Sequence, residues 1–253
     1  MPRKLREKSG SGIYHVMMRG VNRQNIFEDD RDRFRFIETI KRYKGRCNFN
    51  IFSYCLMNNH VHLLMKENEE SVSKIIQRMS TSYVYWYNNK YERSGHLFEG
   101  RFKSEPVDSL TYFLTVIRYI HQNPVKAGLA KDVLASKWTS ANDYFTPNTF
   151  IDTEFLLNQL SLDRKQAIHY YTEYMQATND DQCLDDHIEV KVPDTQVKDQ
   201  LAALGIPSSS VLQKLDRDKR NAIISELKRI NGVSAGQLSR ITGISKSVIV
   251  RVR

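Results

Sequence analysis

Nowhere in these 253 residues does an apolar run approach the roughly 20 positions that a membrane-spanning helix requires. The opening Met1-Pro2-Arg3-Lys4 also lacks the hydrophobic stretch of a secretory leader. The expectation is a cytoplasmic protein with no membrane partner. Cysteine is scarce: Cys47, Cys55 and Cys183 are an odd number at wide spacing, which excludes a disulfide framework and a thiolate zinc site. No Gly-x-x-x-x-Gly-Lys-Ser/Thr loop is present, so the chain carries no nucleotide-phosphate cradle of that kind, and no internal repeat divides it.

Apolar residues make up 40% of the chain, enough for a sizeable core and unlike a disordered composition. The net charge is +9, unevenly spread. Residues 1–150 hold 24 Lys/Arg against 15 Asp/Glu, residues 151–200 hold 4 against 11, and residues 201–253 hold 10 against 3. Two basic blocks flanking an acidic bridge make a phosphate backbone the first partner to consider.

Gly12 to Arg19 is β-prone and closed by Gly20, so a strand is predicted there. A helix follows, capped at Asp29 or Asp30, with Phe34, Ile37, Ile40 and Tyr43 at helical spacing up to Gly45. Phe49–Leu56 and His60–Lys66 read as a hairpin around Met57-Asn58-Asn59. Ser71 opens a helix to about Tyr91, Phe102–Val107 forms a strand, and Ser109 to about Asn123 a helix that stops before Pro124. This βαββαβ-like order predicts an α+β fold with an antiparallel sheet and helices on one face. Two more helices are predicted near 152–160 and 164–177. The expected divisions are a catalytic domain at 1–145, a helical extension at 146–178, an acidic linker at 179–210 and a small all-α unit at 211–253.

His60 and His62, at i and i+2 of one strand, share a face and set two imidazoles side by side, a metal-binding geometry with coordination positions left over. Such a pair also occurs as packed or surface residues. Tyr119 and Asn123, at i and i+4 of a helix, share a face too, so a phenol and an amide oxygen can approach one ion. A tyrosine can act as a covalent nucleophile, although a phenol with a pKa of about 10 needs help at neutral pH. Tyr119 could equally be a core aromatic with Asn123 ending the helix. His121 and Gln122 turn to other helix faces as support or surface residues, and His15 and His96 are weaker metal candidates.

Four stretches carry a resemblance: Tyr14-His15-Val16 through Arg19-Gly20, Tyr54-Cys55-Leu56-Met57-Asn58-Asn59-His60-Val61-His62, Gly95-His96-Leu97-Phe98-Glu99-Gly100-Arg101-Phe102, and Arg118-Tyr119-Ile120 with Asn123-Pro124. In this order, across roughly the first 145 residues, the chain resembles the HUH-type single-tyrosine transposases, in particular the REP-associated tyrosine transposase branch. The resemblance implies a ferredoxin-like domain in which His60, His62 and Asn123 hold Mg²⁺ or Mn²⁺. It also implies that Tyr119 attacks single-stranded DNA near a hairpin, forming a 5′-phosphotyrosine link and releasing a 3′-hydroxyl. Related insertion-sequence transposases usually place glutamine where Asn123 stands.

Arg19, Arg23, Arg101, Lys103 and Arg118 are the expected DNA contacts of the first domain, with Tyr83, Tyr87 and Phe102 available for stacking. The stripe Tyr83, Tyr87, Tyr91 also fits a buried helix face. Val233 to Arg253 resembles a helix-turn-helix whose final helix carries Lys246, Arg251 and Arg253 toward DNA. The expectation is therefore a monomeric or homodimeric metal-dependent tyrosine endonuclease and strand-transferase. The alternatives are a DNA-binding regulator that keeps the fold without transposition, a replication initiator or relaxase, and an RNA-binding ferredoxin-like domain. The last would want aromatics on its central strand, which His60 to Lys66 lacks.

Overall fold

The computed structural model describes residues 6–184, 192, 194–207, 209–230 and 232–252. Strand β1 (Ile13–Arg19) ends at Gly20, where a Cβ would lie 2.2 Å from the carbonyl oxygen of Gln24. Only glycine lets the chain fold back this closely. Helix α1 (Asp30–Cys47) begins on a reciprocal capping box between Asp29 and Asp32, which satisfies backbone donors that the first turn leaves open. β2 (Asn50–Leu56), β3 (His60–Lys66), α2 (Val72–Lys90), β4 (Lys103–Pro106) and α3 (Leu110–Lys126) follow.

The four strands are antiparallel in the order β2-β3-β1-β4, the ferredoxin-like α+β arrangement expected. Alternation along the strands divides their side chains between two faces. Val16, Met18, Val61 and Leu63 point to the face covered by α1 and α2, where the Ser80 hydroxyl reaches the Met18 sulfur and Phe36 meets Tyr83 edge-on. His15, Met17 and His62 point to the opposite face, and α3 lies there with Tyr119 against the two histidines.

Within α1 the buried stripe runs through Phe36 and Ile40. Phe34, expected inside, lies half outside and packs edge-on against Trp138. Helix α3 differs from expectation in passing through Pro124 to Lys126. The correction is physical: a proline in the last turn forfeits only the bond its own N–H would have made one turn back. Its carbonyl then accepts from Leu129 and Ala130 to finish the helix. Helices α4 (Thr153–Leu160) and α5 (Arg164–Gln176) form the helical extension, with Phe155 closing a ring cluster with Phe52 and Phe113.

The chain divides into two compact units, Met1–Asp185 and Asp186–Arg253. This corrects the reading of 179–210 as a linker, of which residues 185–191, 193 and 208 lie outside the described residues. Asn179 and Asp181 bond to α3, and Asp194–Ala203 is a helix, α6, that buries Val197 and Leu201 in the core of the second unit. The acidic composition of the stretch outweighed this i, i+4 apolar pair in the sequence. The second unit continues with α7 (Ser209–Lys214), α8 (Arg217–Lys228), α9 (Ala235–Thr242) and α10 (Lys246–Arg251) around Leu212, Ile224, Leu227, Leu238 and Ile249. Gly243, at φ +69°, makes the turn between α9 and α10, a left-handed conformation that favours glycine. Among the described residues no helix is long and apolar enough to cross a membrane.

Candidate active site

Strand register assembles the site. Lys103, Met17, His62 and Cys55 stand in one row across the four strands, and Arg19 faces His60 two residues further along, on the same face. The His60 and His62 rings are 5.1 Å apart and perpendicular. Nδ1 of His60 is 2.7 Å from Oδ1 of Asn59, the turn residue before the strand. His62 is wholly buried, and burial, followed by the proximity of His15 and His60, holds its pKa well below the ordinary value. Its imidazole is therefore neutral, the form that ligates cations.

Tyr119 comes to the histidines from α3. Its ring centroid is 5.8 Å from that of His62 and 5.9 Å from that of His15, and the residue is 5% exposed. Lys126, two turns on, sets its ammonium 5.5 Å from the centre of the same ring. Asn123 lies one turn after Tyr119, and its amide nitrogen donates to the Tyr119 carbonyl at 3.0 Å.

The structure thus brings Tyr119 to the histidine pair, with Asn123 on the same helix. Among the described residues no group of three or more His, Cys, Asp or Glu side chains is placed to hold a metal. The donor set implied by the resemblance contains two imidazoles and an amide. One observation fits a cation: Nε2 of His62 is buried and has no hydrogen-bond partner among the described residues. A buried polar nitrogen of this kind is costly to leave without a partner.

The other residues singled out in the sequence fall into distinct environments. His121 is buried on the far side of α3 between the Ser140 hydroxyl at 2.9 Å and the Tyr171 hydroxyl at 3.0 Å, and burial drives its pKa down to about 3. Gln122 ties α3 to the end of α5 by donating to the carbonyls of Met175 and Ala177. Arg118 makes two hydrogen bonds to Asp181, at 2.7 and 2.8 Å, and stacks over Tyr174. Its charge is already matched. Arg19 pairs with Glu99 at 2.8 Å; Arg101 and Lys103 are exposed and Arg23 is half-buried. Tyr83 and Tyr87 belong to the core, and Phe102 lies beneath the Arg6 guanidinium. His96 is exposed in a separate groove with Phe98 and Arg101. In the second unit Lys246 and Arg251 are both exposed on α10, and Arg253 lies outside the described residues.

His15 was undervalued in the sequence, and Glu105 and Tyr112 were missed. The available signal was the alternation of β1, which puts His15 on the face opposite its apolar neighbours Tyr14 and Val16.

Residues 8–123 match the family described as Transposase IS200 like. This stretch, a little under half of the chain, is similar to IS200-like transposases. It contains both histidines and ends on Asn123, and the resemblance read from the sequence motifs holds at the level of the family. The match supports an enzyme that acts on DNA. No curated protein matches the chain. Among solved structures, a REP-associated tyrosine transposase bound to a REP hairpin is similar at 16% identity with a TM-score of 0.50, covering 57% of this chain and 86% of that one. At that identity the similarity concerns the fold alone. A chain described as a transposase of Deinococcus radiodurans R1 matches at 13% identity and a TM-score of 0.35, over 48% of this chain and 97% of that one.

Proposed function

We propose that this protein cleaves and rejoins single-stranded DNA near hairpins, with Tyr119 as the nucleophile and His60, His62 and Asn123 as the ligands of Mg²⁺ or Mn²⁺. The observation that carries this reading is the approach of the Tyr119 ring to within 5.8 Å of the His62 ring, across two elements distant in sequence.

The phenolic oxygen of Tyr119 forms a bond to phosphorus as the bond from phosphorus to the 3′ oxygen breaks. The phenol gives up its proton to solvent and the leaving 3′ oxygen takes one up. One phosphodiester replaces another, so the 5′-phosphotyrosine link keeps the bond energy for rejoining and no external energy source is needed. A divalent cation, when bound, supplies charge to polarise the scissile phosphate and stabilise the oxygens around it. Burial keeps the His62 imidazole neutral and the turn before β3 orients His60, while α3 positions the phenol.

Arg19, Arg23, Arg101 and Lys103 then attract the DNA backbone, and Lys246 and Arg251 of the second unit engage duplex DNA or a hairpin stem. A REP hairpin is bound in the similar solved structure, which supports hairpin DNA as the substrate class.

Burial of Tyr119 favours a second reading, a protein that binds DNA without cutting it. One experiment separates the two. Incubated with Mn²⁺ and a labelled hairpin oligonucleotide carrying single-stranded flanks, the wild type is expected to form a covalent adduct that Tyr119→Phe does not. A wild type that binds the oligonucleotides but forms no adduct across a panel of flanking sequences would leave the binding protein as the correct reading.

A further inference from the structure

Behind the histidine pair runs a hydrogen-bonded chain that the proposed chemistry does not yet use. His15, wholly buried, places Nε2 2.9 Å from Nδ1 of His62 and Nδ1 3.0 Å from Oε1 of Glu105. Glu105 is on β4, directly opposite His15 in the sheet register. Its Oε1 also accepts from the Tyr112 hydroxyl at 2.6 Å and from the Leu184 backbone N–H at 2.8 Å. Both ring nitrogens of His15 are therefore engaged, which removes it from the set of metal ligands.

The direction of the chain follows from its end. An ionised carboxylate only accepts, and a hydroxyl and a peptide N–H already point at this one. His15 must therefore donate from Nδ1. With one proton on each imidazole, Nε2 of His15 is then an acceptor and takes the proton of His62 Nδ1. That leaves the His62 lone pair on Nε2, the atom that is buried without a hydrogen-bond partner among the described residues. Reversing the chain would instead bury an unpaired N–H at that atom.

We infer that Glu105 and His15 are positioning residues that fix His62 as the tautomer with its proton on Nδ1 and its lone pair on Nε2, directed toward a divalent cation. The presence of the cation rests on the proposed function; the choice of tautomer does not. Orientation of a ligating histidine through its second nitrogen raises its basicity and holds its ring, and losing such a partner typically weakens metal affinity about 10- to 100-fold. Tyr112 and Leu184 serve the same purpose at one further remove, holding the Glu105 carboxylate in place.

The test uses the full-length chain, labelled with ¹⁵N and freed of metal. Long-range ¹⁵N–¹H correlation of the histidine side chains reads which nitrogen of His62 carries the proton, and titration with Mn²⁺ followed by electron paramagnetic resonance reads affinity. The wild type is expected to show His62 protonated on Nδ1. Glu105→Gln, whose amide can donate as well as accept, is expected to lose that preference and to bind Mn²⁺ about 10- to 100-fold more weakly with an otherwise native amide spectrum. His15→Phe should do the same, and if it fails to fold, Glu105→Gln carries the test. A wild-type His62 with its proton on Nε2 overturns the inference, as does a Glu105→Gln protein with unchanged tautomer and affinity. A wild type with the expected tautomer but no affinity for Mn²⁺ upholds the positioning chain and defeats the proposed metal chemistry instead.

Discussion

The Arg118 guanidinium is held by both carboxylate oxygens of Asp181, at 2.7 and 2.8 Å, although the two residues are 63 positions apart. The sequence offered Arg118 as a DNA contact, yet its neighbour on α3 is Tyr119 and its partner is an acid from the segment that follows α5. The pair fastens that segment to the helix bearing Tyr119. Arg118→Gln should therefore cost stability, about 2 kcal/mol for charge-assisted hydrogen bonds that are mostly shielded from solvent, read from the urea midpoint. The salt dependence of oligonucleotide binding should stay as in the wild type. By contrast, Arg101→Gln should leave the midpoint in place and reduce the slope of log affinity against log salt by about 0.7, one single-strand phosphate contact.

His121 is the polar centre of the packing between α3 and α5. His121→Ala should lower unfolding free energy by about 2–4 kcal/mol, because it opens a cavity and leaves the Ser140 and Tyr171 hydroxyls to find other partners. Tyr171→Phe, which removes one hydroxyl and no volume, should cost about 1 kcal/mol. If the two variants proved equally mild in urea unfolding, the hydrogen bonds through His121 would not be what holds α5 to α3.

A methyl group at Gly20 would lie 2.2 Å from a backbone oxygen, and backbone cannot step aside as a flexible side chain can. Gly20→Ala should destabilise by about 1–3 kcal/mol. Because the change follows Arg19, which stands opposite His60, adduct formation should fall as well. A thermal melt together with the adduct assay checks both effects.

Lys246→Ala and Arg251→Ala remove exposed cations from α10. In the full-length protein each should weaken duplex binding and reduce its salt slope by about one phosphate contact. The circular dichroism spectrum should not change. Unaltered duplex affinity in the double variant would mean that the second unit does not bind DNA through this helix.

Much of the fold was legible because local signals agreed: Asp29 capping α1, alternation through His60-Val61-His62, and the tight turn at Met57-Asn58-Asn59. The approach of Tyr119 to His62 was foreshadowed only as a shared ligand set, since strand register and helix packing are long-range facts. Glu105 was invisible for the same reason. It sits in a half-exposed four-residue strand, and nothing local announces that His15 lies opposite. Pro124 misled because the rule against proline in helices weakens in a last turn, and the segment around Val197 misled because acidic residues hid a short apolar stripe. The pairing of Arg118 with Asp181 was hidden as well, because the two residues are 63 positions apart.

Helix α3 is fastened on its outer side at Arg118, His121 and Gln122, while its inner side sets Tyr119 against the histidines of the same chain. A helix held in this way does not lend its tyrosine to a neighbour. Mixing a Tyr119→Phe protein with a His62→Ala protein should therefore restore no adduct, even after the two are unfolded and refolded together. Each molecule should be a self-sufficient catalytic unit, so that activity per chain is independent of concentration.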